Sequence, residues 1–434
     1  MTDVTPPHVD PRRLPDPYPI EPLAAPPDAT VHLPGSKSIT NRALVVAALA
    51  DGDTTIERAL FAQDTEAMIG GLRALGVEVD ADEAAGTVRV RGCGGELPGL
   101  AATVDARQSG TTGRFLTPLA ATGSAPVVID GDPQLRARPM DDQIAALREM
   151  GVVVEELGAP GRLPLRVTGP LGAASIALAA DVSSQFLSGL LMVGAVHGLD
   201  ARLTTAPVSR PYLEMTAAVM RDFGAEVSDD DGESWTVGGG YVAPGRYVVE
   251  PDASAASYFL AAAAITGGRV RIEGLGRSSR QGDVAFADVL GEMGADVDMG
   301  PDHIELVGRR LSGVRVDLRH ISDTAPTLAV VAAFADGPTT ITDIGFVKGK
   351  ESDRIGAPVR ELRRCGIDAE EIPGGLVIRP GPLPRGAVFE TYDDHRMAMA
   401  FALVGLVVPG VAVRDPGCVA KTFPGFFDTL EQLR

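Results

Sequence analysis

Paired cysteines, long apolar runs and lysine are all scarce in this sequence, and each shortage removes a class of explanation. Cys93, Cys365 and Cys418 stand far apart with no recurring spacing, so neither a disulfide framework nor a cysteine zinc site is indicated, and the reducing cytoplasm is the default. The six histidines show no ligand spacing either; no metal and no cofactor is called for. The longest apolar stretches, such as Phe401 to Val408, fall short of the ~18 residues that cross a bilayer. Met1 to Asp10 lacks a basic start followed by an apolar run, so neither a membrane partner nor a secretion signal is expected. Aromatic residues make up only 5%, yet 45% hydrophobic and 22% charged residues describe a folded chain rather than a disordered one. With 434 residues there is room for two or three domains.

A net charge of −19 argues against nucleic acid as the main partner, because most of this surface repels a phosphate backbone. An anionic ligand must therefore be caught by a local cluster of cations. Of the 39 basic residues only four are lysine: Lys37, Lys348, Lys350 and Lys421. A bias toward arginine removes lysine wherever a guanidinium serves equally well. The survivors mark candidate sites for a compact, rotatable ammonium, set against chance survival on the surface.

The first thirty residues hold nine prolines and no apolar periodicity, which reads as a disordered lead-in over 1–30. Beyond it the sequence repeats six times at about 72 residues. Each unit opens with a helix apolar nearly all round, followed by Gly52, Gly123, Gly198, Gly267, Gly337 or Gly410. Such helices are buried, and a glycine past the end fits a left-handed cap. A second series of amphipathic helices ends at Gly76, Gly151, Gly224, Gly294 and Gly366. Leu72, Leu147, Met220, Leu290 and Leu362 stand four residues before those glycines, and Leu75, Met150, Phe223, Met293 and Cys365 one residue before. Each pair shares a helix face. Strand signals fall between, as at Thr54–Glu57, Val127–Ile129, Arg269–Ile272 and Thr339–Thr342. The expected fold is α/β: two similar globular domains, each of three repeated units with buried helices and β-sheets. The expected boundaries are 37–250 for repeats 1–3, and 31–36 plus 251–434 for repeats 4–6.

Polar clusters precede each buried helix: Gly35 to Arg42, Gln108 to Arg114, Ser183 to Gln185, Asp252 to Ser257, Ser322 to Thr324, and Tyr392 to Arg396. Capping accounts for the Ser, Thr and Asp. It does not account for Lys37, Arg42, Arg114 and Arg396, since the positive end of a helix dipole disfavours cations. A bound anion removes that conflict. Cations recur before the amphipathic helices too, at Arg138, Arg210, Arg280, Lys350 and Lys421. In a symmetric fold such repetition predicts a shared anionic pocket. The string Gly35-Ser36-Lys37-Ser38 is no P-loop, because Ser36 separates glycine from lysine and the upstream glycine is missing. Asp323 and Glu351 are ordinary caps or ion-pair partners, or else the acid and base of a proton transfer.

The strings Leu33 to Ser38 with Asn41-Arg42, Ser183 to Phe186, Lys350 to Arg354, Asp394 to Ala398 and Ala420 to Pro424 resemble those of the 5-enolpyruvylshikimate-3-phosphate synthase family, from Val31 onward. The resemblance implies two domains closing over their substrates, and transfer of the enolpyruvyl group of phosphoenolpyruvate to the 5-hydroxyl of shikimate 3-phosphate. It implies that Lys37, Ser38, Arg42, Ser183, Ser184, Gln185, Ser209, Tyr212, Asp323 and Lys350 bind shikimate 3-phosphate. Phosphoenolpyruvate would lie against Lys37, Gly110, Arg138, Gln185, Arg354, Arg396 and Lys421. Asp323 and Glu351, with Lys37, are implied as catalytic. A monomer is expected, open without substrate because its clustered cations repel, and Gly110 leaves room for a small anionic inhibitor such as glyphosate. Phe346 and Phe115 depart from the family pattern, the first where a polar amide is frequent, the second where proline is. The related transferase acting on UDP-N-acetylglucosamine is the nearest alternative, but the surroundings of Cys93 do not match that family's loop. A binding-only relative or an α/β repeat scaffold has no reason to keep both carboxylates.

Overall fold

The structure, a computed structural model, describes residues 1–6, 11–229 and 232–434. It divides into two compact units, Met1–Pro34 with Glu250–Arg434 and Gly35–Val249, here the second-half and first-half units. Among the described residues no helix is long and apolar enough to cross a membrane.

Each repeat builds one small sheet, and the first-half unit holds three of them. The second repeat shows the plan. Ala102–Asp105 runs parallel to Val127–Asp130 across the buried helix Gly110–Ala120, and Leu165–Thr168 pairs antiparallel with both Val127–Asp130 and Val153–Glu156. The three buried helices of this unit, Lys37–Leu49, Gly110–Ala120 and Ser184–His197, pack on one another. Ala253–Thr266, Ala325–Ala332 and His395–Gly405 do the same in the second-half unit. Such mutual packing explains why these helices are apolar on every side.

The proline-rich opening is not a disordered lead-in. Thr2–Val4 pairs in parallel with Asp28–Val31, which pairs in turn with Arg269–Glu273. Tyr18–Ile20 pairs antiparallel with Val411–Val413 and fills the place that a hairpin strand takes in the other sheets. Val4 and Ile20 are fully buried. Pro19 is accommodated because its strand lies at a sheet edge, where a missing N–H costs no ladder bond. Residues 7–10 of that expected lead-in lie outside the described residues.

The second series of glycines has one geometry throughout. Gly76, Gly151, Gly224, Gly294 and Gly366 all adopt positive φ, two residues past helices ending at Ala74, Glu149, Asp222, Glu292 and Arg364. The N–H of the following residue returns to the carbonyl of Leu72, Leu147, Met220, Leu290 or Leu362 at 3.0–3.1 Å. That is a Schellman cap, and its hydrophobic contact is the leucine or methionine four residues before the glycine. The first series is less uniform. Only Gly198 and Gly267 sit at the cap itself, and Gly123 has no positive φ.

Candidate active site

In the second-half unit three cations converge on one carboxylate. Asp323 lies in the tight turn Ser322–Thr324 that leads into a buried helix. Its Oδ1 accepts from Lys350 Nζ at 2.6 Å and Arg354 Nη1 at 3.0 Å, and its Oδ2 from Arg396 Nη2 at 2.5 Å. Arg354 is 2% exposed and grips Asp394 with two donors, Nε at 2.8 Å and Nη2 at 3.1 Å. Its Nη2 also reaches Glu351 Oε2 at 2.7 Å. Asp394 caps the helix His395–Gly405 through the Arg396 N–H and accepts from the Ser352 hydroxyl at 2.8 Å. Tyr392 and Asp393, both left-handed, turn the chain sharply just before that cap.

Burial alone would raise the Asp323 pKa, but the charges of Arg396, Lys350 and Arg354 outweigh it and hold the carboxyl well below 3.8. Burial lowers the Lys350 ammonium, which also lies 5.8 Å from the Phe346 ring centre. His395 is held well below 6.5, first by burial and then by Arg396, with Arg354 and Lys421 adding to it and Glu351 opposing. The charges of buried Lys421 and of Glu351 thus act on the same imidazole as those of Arg396 and Arg354. A carboxyl lowered in the folded state lends stability above its ordinary value and loses it as pH falls through the depressed one. The stability gap between wild type and Asp323→Asn should accordingly shrink as thermal melts are moved from pH 7 to pH 3; a gap independent of pH would refute the assignment.

The first-half unit gathers its residues at helix N-termini. Lys37 opens the helix that Ser36 caps, with Nζ 3.5 Å from buried Asp64. Gly110 opens the helix that Ser109 caps, and a Cβ on it would lie 2.9 Å from Arg138 Nη1, 3.7 Å from Arg114 Nη1 and 3.8 Å from Gln185 Oε1. Gln185 takes Arg114 Nη1 on its carbonyl at 2.7 Å and donates to Thr111 at 3.2 Å. Ser183 caps the helix that begins at Ser184. Arg42 is 1% exposed and donates to Thr216 at 2.7 Å, to the Ser38 carbonyl at 3.0 Å and to the Tyr212 carbonyl at 3.2 Å. Burial drops its pKa to about 10. Phe115 faces Arg42, with 5.2 Å from guanidinium carbon to ring centre. Ser209, left-handed at φ 53°, stands just ahead of the helix Pro211–Asp222 that carries Tyr212.

Two of the repeated cations do not join these clusters. Arg210 is tied to Glu214 at 2.9 Å and Asp229 at 2.6 Å, and Arg280 is exposed. Repetition marks equivalent places, but only Arg138 and Lys421 are buried there, while Lys350, 28% exposed, is tied to Asp323. The cations at helix starts also have partners within the protein: Asp64 for Lys37, Asp323 for Arg396 and Gln185 for Arg114. Asp64 and Asp394 lie outside the site residues expected from the sequence. Asp394 carries a signal, since a carboxylate directly before His395-Arg396 fits a cap that also neutralises.

A sequence profile of the family described as EPSP synthase (3-phosphoshikimate 1-carboxyvinyltransferase) matches residues 24–430. A 3-phosphoshikimate 1-carboxyvinyltransferase of Nostoc punctiforme is 44% identical over 417 residues, covering 95% of this chain and 97% of its own. That of Thiobacillus denitrificans is 45% identical over 413 residues, covering 93% and 96%. Among solved structures, an EPSP synthase from Acinetobacter baumannii matches with a TM-score of 0.81 at 28% identity, over 95% of this chain and 97% of that one.

Proposed function

The chain belongs to the EPSP synthase family, and we propose that the two sets of residues described above bind and convert that family's substrates. The reaction is 3-phosphoshikimate 1-carboxyvinyl transfer. The enolpyruvyl group of phosphoenolpyruvate passes to the 5-hydroxyl of shikimate 3-phosphate, and phosphate leaves. The methylene carbon of phosphoenolpyruvate gains a proton while the hydroxyl oxygen attacks the adjacent carbon. Loss of a proton from the resulting methyl group then expels phosphate.

The observation that carries this reading is the engagement of Asp323 by three cations. So held, Asp323 is a poor base. An arriving carboxylate or phosphate competes for Arg354 and Arg396, and Asp323 is left chiefly with Lys350. Its proton affinity then rises, and it can take the proton of the 5-hydroxyl only once the donor is bound. Glu351, paired with Arg354 and acting by its charge on His395, serves proton transfer at the methylene carbon. Arg138, Arg354, Arg396 and Lys421 grip the anionic groups of phosphoenolpyruvate, each charge-assisted contact contributing about 1.5–3 kcal/mol. Lys37 touches both substrates. Ser38, Arg42, Ser183, Ser184, Gln185, Ser209, Tyr212 and Lys350 hold shikimate 3-phosphate. We assign the chain to the cytoplasm, as a monomer.

Gly110 tests the donor site without removing a charge. Gly110→Ala, at the first residue of its helix, places a methyl group against the movable end of Arg138. The KM for phosphoenolpyruvate should rise by ~10-fold or more, one charge-assisted contact being lost, while the melting temperature holds. Glyphosate competition should weaken in parallel. An unchanged KM would remove Gly110 and Arg138 from the donor site.

A further inference from the structure

Behind Arg396 lies a buried carboxyl that the chemistry above does not use. Asp283 sits in the short turn Gly282–Ala285, is 4% exposed, and accepts from the hydroxyl of Ser254 in a very short hydrogen bond. Ser254 is itself 9% exposed, in the first turn of the helix Ala253–Thr266. Its Oγ stands 3.5 Å from Arg396 Nη2, the nitrogen that reaches Asp323. Gln281 locks the turn against this helix, accepting from Ala253 N at 3.0 Å and donating to the Pro251 carbonyl at 2.7 Å.

A serine hydroxyl has a single proton. With that proton directed at Asp283, only lone pairs of Ser254 face Arg396. We propose that Asp283, through Ser254, positions the Arg396 guanidinium for the anion it binds, an inference that rests on the assignment of Arg396 to phosphoenolpyruvate. When the anion draws Arg396 away from Asp323, the Ser254 contact remains and keeps the guanidinium from swinging free. Asp283 is a positioning residue, since it meets the ligand only through two other side chains.

The device responds to pH. The charges of Asp323, Arg396 and Asp252 act on Asp283, and burial, with the charge of Asp323, raises its carboxyl to about 6. Protonation lets Asp283 donate to Ser254, which takes up one serine lone pair and frees the serine proton from the carboxylate. The acceptor that Ser254 offers Arg396 therefore weakens between about pH 7 and pH 5.

The KM for phosphoenolpyruvate, measured at pH 8 and pH 5.5 in wild type, Ser254→Ala, Ser254→Thr, Asp283→Asn and the Ser254→Ala/Asp283→Asn double variant, tests this. Substrate ionisation is common to every variant and cancels in ratios to wild type. Ser254→Ala should raise KM ~10-fold at pH 8, the loss of one charge-assisted contact. Its ratio to wild type should fall toward ~3-fold at pH 5.5, where about three-quarters of wild-type Asp283 is protonated. Ser254→Thr keeps the hydroxyl and should stay near wild type, and in the Asp283→Asn background Ser254→Ala should add less than on its own. A Ser254→Ala penalty equal at both pH values, or undiminished in the Asp283→Asn background, would overturn the inference. Arg396→Ala separates the two levels. If it leaves KM unchanged, the donor-site assignment fails and the inference with it; if it raises KM while Ser254→Ala does not, the inference alone fails.

Discussion

Asp323→Asn is expected to lower kcat by ~10²–10⁴-fold, the usual worth of a positioned general base, while the KM for phosphoenolpyruvate stays level or falls. The split follows from the geometry. Asparagine keeps the shape but cannot take the hydroxyl proton, and it releases Arg354 and Arg396 from a carboxylate that competes with the ligand. Simple loss of structure would raise KM and lower kcat together. Steady-state kinetics with both substrates varied decides, and a kcat within ~3-fold of wild type would end the case for Asp323 as the base.

The second large effect concerns stability. Arg354→Met should cost ~3–5 kcal/mol, because removing one member of a buried ion network strands the others. Arg354 holds Asp394 with two donors and Glu351 with one, and it is 2% exposed against 0% for the Asp394 side chain. Adding Asp394→Asn to Arg354→Met should recover part of the loss, since one stranded charge is gone. Denaturant unfolding measures both variants. A loss under ~1 kcal/mol for Arg354→Met would mean that the network is solvated rather than enclosed.

Much of this fold was legible because five of the six repeats write the same grammar: an apolar helix, then an amphipathic one ending Leu-x-x-x-Gly or, once, Met-x-x-x-Gly. The five Schellman caps show why that spacing is legible, since one backbone geometry calls for the glycine and the apolar residue together. The opening segment was misread for a matching reason. Its strands borrow their partners from Arg269–Glu273 and Val411–Val413, hundreds of residues away, so no local periodicity announces them. At the site, cations at helix starts were visible as conflicts with the dipole. What relieves those conflicts was not visible: Asp64 and Asp323 are brought to Lys37 and Arg396 by tertiary packing alone. Arg210 and Arg280 look identical in sequence to Arg138, Lys350 and Lys421, and only their tertiary surroundings separate them: Arg280 is exposed, and Arg210 is tied to Glu214 and Asp229.

Phosphate release from phosphoenolpyruvate, followed with shikimate 3-phosphate or with UDP-N-acetylglucosamine as acceptor, tests the central claim most directly. The account predicts release with shikimate 3-phosphate alone, lost when Lys37 of the first-half unit or Lys421 of the second-half unit is changed to alanine. Release with the sugar nucleotide only, or a full rate without either ammonium, would contradict it.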